Sequence, residues 1–389
     1  MKYIHEYNKV DIRSDKITRE LFEKYTKMTK CDSVYIDSFN IDKISQFVFE
    51  NDIVLIGIKD MFCINVKHNI YFDTNLYNGM FYAEHVLSNI ANAHPKRHFI
   101  IIGEYHSPEK LELNKIANVD VIFWSSLLDY ANYAELTPVA NKNFSSKYTN
   151  IALNRRMDMH RLMLVGYLRG SKLHKNAYIS ALLLDEKCEN SNDIMDLVDW
   201  EFSQSTDHLK NVARAGYNQL CKCNNLIIQE PYSTLPDSDS VTHWYNKENF
   251  ELNLSMLYKN SFVEIVTETL FAFHTGTVTE KYLNSIFGMN YPIILATPGA
   301  VAYLRTAGFD MFDDVINHAY DIVQDPALRL QTAIVDNEQI LSNPELAKDM
   351  WKSHRSRFTK NVNYFKTVFL SSHIAEIEAQ ISKTIRNLS

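Results

Sequence analysis

The sequence predicts an α/β protein built on parallel sheets with helices on both faces, and three observations lead there. Short apolar runs such as Ile53–Ile58 and Phe99–Ile102 recur at strand length. Between them lie stretches with apolar residues at helical spacing; in Leu76–Ala93, Tyr82, Val86, Leu87 and Ile90 share one face. The composition, 46% hydrophobic and 22% charged over 389 residues, is that of a globular protein and excludes disordered, collagen-like and coiled-coil classes. That length suits two domains or one large one.

Taken in order, the first part offers strands at Ser33–Ile36, Ile53–Ile58, Phe62–Val66, His98–Ile102 and Val119–Trp124, with the Leu76–Ala93 helix among them. The rhythm repeats after the polar loop Thr137–Ser146: strand Asn150–Leu153, helix Met159–Arg169, strand Tyr178–Leu184. A long polar stretch follows. Then come strand Phe262–Val266, helix Thr279–Phe287, strand Pro292–Ala296 and helix Gly299–Ala307. Pro344–Ser389 reads as two long helices, and Ile374, Ile377, Ile381 and Ile385 recur at helical spacing for packing back onto a domain. The expected domains are residues 1–140, residues 147–345, and a C-terminal helical extension at 346–389 that packs back across them. Such a pair of α/β halves binds ligands at the carboxyl ends of its strands.

No apolar run approaches the ~20 residues that cross a bilayer, so no membrane span is expected. Met1–Asp15 is charged throughout and lacks the apolar core of a secretory signal. Five scattered cysteines favour a reducing compartment over a disulfide framework, so the expected location is cytoplasmic. The net charge of −7 argues against indiscriminate coating of nucleic acid. Its distribution is polarised. Lys142 to Lys175 holds eight Lys/Arg residues and one acid, Asp158; a second basic cluster runs from Lys352 to Lys366, whereas Asp185–Glu201 and Phe309–Asp325 are acidic. That pattern suits an anionic ligand, and equally a set of solvated helix faces.

The richest segment is Phe262–Phe309. A strand is expected to end in the acidic pair Glu264 and Glu268, a loop carries His274 and Gly276, and Thr279 stands as N-cap of the next helix. Glu280 and Lys281 occupy that helix's first turn. A helix N-terminus with a lysine beside it suits a diphosphate, and an adjacent carboxylate can bind the hydroxyls of a ribose. By spacing alone, the same residues also describe a capped surface helix with a solvated Glu-Lys pair.

This segment resembles the sugar-nucleotide-binding half of fucosyltransferase-type and exostosin-like glycosyltransferases, and more closely the glycosyltransferase-like proteins of large tailed bacteriophages. The likeness rests on Thr279-Glu280-Lys281, on Pro292–Leu295, on the Pro298-Gly299 turn, and on Tyr303, Leu304, Arg305, Gly308 and Phe309. A second element, Asn154–Arg161 (NRRMDMHR), resembles the phage pattern N-R-x-x-x-x-H-R. The resemblance covers roughly residues 150–366. It implies a GT-B-like fold of two facing Rossmann-like domains, a UDP- or GDP-linked sugar donor, and no required metal. It assigns the ribose to Glu280 and the diphosphate to Lys281 and to Arg155 or Arg156; His160 and Arg161, at the start of the following helix, are expected to line the same cleft.

An inverting transferase also needs a base on the acceptor side, residues 1–140. Glu104 follows the His98–Ile102 strand, and its GEYHSP setting resembles the fucosyltransferase ESP element with a two-residue departure; His106 is the alternative. Asp237-Ser238-Asp239 is a metal-type DxD string in a Pro/Ser-rich loop, and Cys221-Lys222-Cys223 lacks a partner pair at zinc spacing. The phage likeness, with a composition rich in Asn, Ile, Lys and Tyr, implies a viral enzyme. Its acceptor would be hydroxymethylated cytosine in double-stranded DNA, bound along Lys142–Lys175 and Lys352–Lys366. A surface glycan, a lipid-linked sugar or a protein is the alternative acceptor, and a non-catalytic binding protein is the reading outside the class.

Overall fold

The computed structural model describes residues 2–4, 24–25, 31–37, 44, 47–59, 85–103, 112–154, 159–181, 211, 250, 254–268, 271 and 278–388. The expected strand Phe62–Val66 and the first part of the Leu76–Ala93 helix lie outside them. The chain divides into two units, one formed by Met1–Asn132 with Val368–Ser389 and the other by Tyr133–Thr367. Among the described residues, no helix is long and apolar enough to cross a membrane.

Unit 1 is a parallel sheet of β1 (Lys2–Ile4), β2 (Asp32–Asp37), β3 (Ile53–Lys59), β4 (His98–Gly103) and β5 (Val119–Phe123), in that spatial order. Val54, Ile56, Ile58, Phe99 and Ile101 pack in one core with Leu87 and Ile90 from the helical residues 85–93. The alternate positions Leu55, Ile100 and Ile102 are buried as well. Burial on both faces explains why these strands read as continuous apolar runs.

In a strand order that never reverses, right-handed crossovers set the helical residues 85–93 to one face. Further cover comes from the C-terminal helix α8 (Leu370–Leu388), which packs against β5 with Ile377 and Ile381 buried. Ile374 and Ile385 flank that stripe half-buried. Tyr25 fastens the helix by donating its hydroxyl to the Glu378 carbonyl (2.8 Å), and Lys24 pairs with the Glu378 carboxylate (2.7 Å).

Unit 2 holds a second parallel sheet of β6 (Asn150–Asn154), β7 (Ala177–Ala181), β8 (Val263–Thr267) and β9 (Tyr291–Leu295), in the order β7-β6-β8-β9. Helix α1 (Met159–Gly170) follows β6, α2 (Ser255–Lys259) precedes β8, and α3 (Glu280–Gly288) joins β8 to β9. The sequence steps outward from β6 to β7 and then from β8 to β9 in the opposite direction. Right-handed crossovers therefore set α1 and α3 on opposite faces, and the reversal between β6 and β8 is a topological switch point.

After β9 come α4 (Ala300–Thr306), α5 (Pro326–Val335), α6 (Glu338–Ser342) and α7 (Pro344–Tyr364). Two of these start alike. Asp325 accepts from the Leu328 amide ahead of Pro326, and Asn343 accepts from the Leu346 amide ahead of Pro344. A π-helical turn, Phe365–Phe369, then leads into α8.

The acidic run Phe309–Asp325 is consumed internally. Arg357 binds Asp310 (2.6 and 2.7 Å) and Asp314 (2.8 Å), Arg305 binds Asp313 (3.0 and 2.6 Å), and Asp321 accepts from the amides of Val301 and Ala302 at the start of α4 (3.0 Å each).

A polar knot sits inside unit 2. The Lys142 ammonium is buried and shares its three N–H donors among four acceptors, the carbonyls of Tyr258 (2.8 Å), Ser261 (2.8 Å) and Gly288 (2.5 Å) and Asn290 Oδ1 (2.6 Å). The last carbonyls of α2 and α3 thereby gain a cation at their negative ends. Burial pushes the Lys142 pKa well below the usual lysine range, with Glu264 pulling the other way. Glu264 lies at the second residue of β8, in the core. It does not close the strand beside Glu268, as the sequence pairing suggested. Its Oε1 accepts from the Tyr258 hydroxyl (2.8 Å), and burial pushes its pKa up to about 8 against that hydrogen bond.

Between the ordinary glutamate value of 4.5 and about 8, the unfolded Glu264 carboxylate is ionised while the folded one keeps its proton. The native state then holds more protons, so stability should fall as pH rises, by at most about 1.4 kcal/mol per unit. Glu264→Gln should lose this slope and gain on the wild type from pH 5 to 8. Urea denaturation across that range checks it, and parallel pH profiles for the two proteins would exclude it.

Candidate functional site

The switch point gathers polar side chains at the carboxyl ends of β6 and β8. Asn154, the last residue of β6, is buried; its Oδ1 accepts from the Thr267 hydroxyl (3.1 Å), which closes β8. Glu268 follows at once with no solvent exposure. Its main-chain amide continues the ladder by donating to the Leu295 carbonyl (2.9 Å). Its side chain reaches across to the start of α3, where Oε1 accepts from the Thr279 amide (2.9 Å) and Oε2 from the Thr279 hydroxyl (2.6 Å).

Thr279 therefore takes the N-cap position without capping. Its backbone is extended there, but its hydroxyl caps no backbone amide of α3 and donates to Glu268 instead. Lys281 donates to Thr279 Oγ1 (3.0 Å) and to Glu280 Oε1 (3.0 Å), and its Nζ stands 3.8 Å from Glu268 Oε2. Glu280 is buried, and its Oε2 has no hydrogen-bond partner among the described residues. Lys281 keeps a quarter of its side chain exposed, 24%. The site is thus two buried carboxylates around one accessible ammonium.

Burial pushes the Glu268 pKa up; Lys281 opposes this, Glu280 adds to it, and the two bonds from Thr279 lower it. A carboxylate so placed stays ionised only while its donors and its cation stay in position.

The beginning of α1 supports the same point from below. His160 is 2% exposed, and its Nε2 donates to the Glu268 carbonyl (2.9 Å). Arg161 is 4% exposed and donates to the carbonyls of Thr267 (3.3 Å) and Glu268 (3.4 Å). Both fix the main chain at the end of β8, so His160 is a buried brace for Glu268 where the sequence had put it on the cleft surface. Phe271 is held between two partners. The His160 ring stacks at 4.8 Å and the Arg329 guanidinium lies at 4.4 Å, and Arg329 also donates to the Phe271 carbonyl.

Of the predicted site residues, the structure brings together His160, Thr279, Glu280 and Lys281. Glu104, His106, Arg155 and Arg156 lie outside the described residues, as do Asp237–Asp239 and the Cys221–Cys223 string. Sequence reasoning missed Glu268 as the hub and Arg329 as the anchor of Phe271. For Glu268 the available signal was its place one residue beyond a buried strand; Arg329 gave none. Among the described residues, no three His, Cys, Asp or Glu side chains gather as a metal site.

The expected basic strip requires correction. Within Lys142–Lys175, Lys142 and Arg161 are buried and spent on main-chain carbonyls, whereas Lys147 and Lys175 are exposed. In the second cluster, Arg357 is ion-paired, Lys352 pairs with Asp349 (2.9 Å), and Lys366 donates to the Leu136 carbonyl (2.6 Å). A groove of about 520 Å³ lies beside Arg305, Asp313, Asp314 and His318. With two aspartates to one arginine, it does not suit a phosphate.

Thr279→Val should cost about 1–3 kcal/mol by leaving Glu268 short of a donor, whereas Thr279→Ser should retain most of the stability. Chemical denaturation of both variants is the check. Stability unchanged in Thr279→Val would remove the hydroxyl from the account.

The sequence matches no protein-family model, and no curated protein matches it. The geometry around Glu268, Glu280 and Lys281 is what any functional reading has to stand on.

Proposed function

We propose that the chain is an inverting, nucleotide-sugar-dependent glycosyltransferase of the GT-B kind, with the donor's diphosphate and ribose bound at the start of α3. One observation carries the reading: Glu280 and Lys281 stand together at the carboxyl end of a parallel sheet beside its switch point, the carboxylate with an oxygen to spare and the ammonium accessible. The accessible ammonium and the dipole of α3 suit a diphosphate. Glu280 Oε2 suits a ribose hydroxyl, because a buried acceptor gains most from a donor that reaches it.

In this proposal Arg155 or Arg156, next in sequence after β6, neutralises the departing UDP or GDP. Glu104, with His106 as alternative, takes the proton of the acceptor hydroxyl while the sugar is attacked from the opposite face. These cationic side chains do the work that a metal does in other transferases. The acceptor proposed from the sequence is hydroxymethylated cytosine in viral DNA, in a cytoplasmic setting. The burial of Lys142 and Arg161 leaves that acceptor fewer phosphate contacts and favours the alternative, a surface glycan, a lipid-linked sugar or a protein.

Lys281→Ala should weaken UDP or GDP binding by about 1.5–3 kcal/mol in calorimetric titration, and unchanged affinity would remove Lys281 from the site. Glu104→Gln should lower turnover by ~10²–10⁴ with donor affinity retained; normal turnover would pass the role to His106. Incubation with a panel of nucleotide sugars, with hydroxymethylcytosine DNA and oligosaccharides as acceptors, tests the class itself. Mass spectrometry showing neither transfer nor donor hydrolysis would refute it.

A further inference from the structure

Two buried carboxylates share one lysine at the start of α3, and that imbalance has a chemical consequence for anything that competes for the lysine. We infer that Glu268 is a positioning residue that releases Lys281 to an incoming diphosphate and takes up a proton from solvent as it does so. The inference rests on the reading of α3 as a diphosphate site.

The coupling runs through the Thr279 hydroxyl. Its oxygen accepts from Lys281 Nζ (3.0 Å) while its proton goes to Glu268 Oε2 (2.6 Å). Once a phosphate draws the ammonium away, the Thr279 hydroxyl can turn its own proton toward the place the ammonium held, which leaves a lone pair facing Glu268 Oε2. A protonated Glu268 can then donate Oε2–H to Thr279 Oγ1 without moving, while Oε1 keeps the Thr279 amide (2.9 Å). The only bond formed in the protein is O–H on the carboxyl group, and the proton comes from buffer. Leaving Glu268 ionised instead would strand a buried charge beside Glu280.

The other groups facing Glu268 among the described residues do not replace Lys281. On β8, Glu264 is another acid, and Glu268 raises its pKa. On α1, His160 and Arg161 direct their bonds to the carbonyls of Thr267 and Glu268. On α3, Glu280 repels, and β9 contributes only the Leu295 carbonyl to the Glu268 amide.

The sign follows from linkage. The complex holds more protons than the free protein in the pH window between the Glu268 pKa without ligand and its higher value with ligand, so affinity falls as pH rises through that window. For one proton the limit is about tenfold per pH unit.

The test is calorimetric titration of the full chain with inorganic pyrophosphate, and separately with UDP and GDP, in buffers of different ionisation enthalpy. Wild type is run beside Glu268→Gln. Proton exchange by the ligand itself is common to both proteins, so their difference isolates Glu268. The expected result is an uptake of up to one proton more by the wild type, with affinity falling more steeply with pH. Equal uptake by the two proteins overturns the inference. Pyrophosphate binding with the expected difference, but no binding of UDP or GDP, supports it and overturns the nucleotide reading; no binding of any of the three overturns both. Lys281→Met gives an independent measure that needs no ligand and no Glu268 variant. With its cation gone, Glu268 should hold its proton in the native state, so stability should decline more steeply with pH above roughly 4.3 than in the wild type. An unchanged slope overturns the coupling.

Discussion

A carboxylate sealed from water must receive its hydrogen bonds and its counter-charge from the protein around it, and at the end of β8 that demand falls on Glu268. The answer to it organises the carboxyl edge of the second sheet. Thr279 gives up its capping role to donate twice to Glu268, Lys281 turns toward the carboxylates, and the first two residues of α1 that follow Met159 tie down the carbonyls beside it. The start of α3 is held by a charge balance as much as by packing. For that reason the groups offered to a ligand there are the ones that hold the segment together.

The opposite end of the same sheet is built on a cation. Lys142 has four oxygen acceptors drawn from α2, from the turn before β8 and from the end of α3, so a single side chain ties three separate segments. Helix α3 is thus gripped at both ends by buried charges of opposite sign, each matched to the helix dipole or its cap. Between them lie strands β8 and β9, buried at every residue. One end of α3 is closed and fully bonded, while the other keeps an accessible lysine.

Much of this fold was legible in the sequence because its signals are local. Ile53–Ile58 and Phe99–Ile102 could only be strands buried on both faces, and the Ile377–Ile381 spacing marked the seam of α8. What stayed hidden depends on partners far away in the chain. Lys142 belongs to a basic run by composition, and nothing nearby announces that carbonyls at 258, 261 and 288 will surround it. The acids of Phe309–Asp325 looked like a charged surface, yet they meet Arg305, Arg357 and the amides of α4. The Asp325-Pro326 start of α5 is a local signal that sequence reading can use. Glu280 and Lys281 were readable as a helix start, whereas the hub at Glu268 required contact with Thr279, eleven residues further along the chain.

Because residues 368–389 complete the first unit although they follow the whole of the second, unit 1 encloses unit 2 in the order of synthesis. A growing chain carries β1 to β5 for more than two hundred residues before α8 exists to pack against β5. During that interval the face that Ile377 and Ile381 will meet stays open, and unit 2 can form its own sheet first. The first unit to be translated is the last to be finished. A stop codon within α8 would spare every residue of the candidate site described here and still leave the other unit without its closing helix.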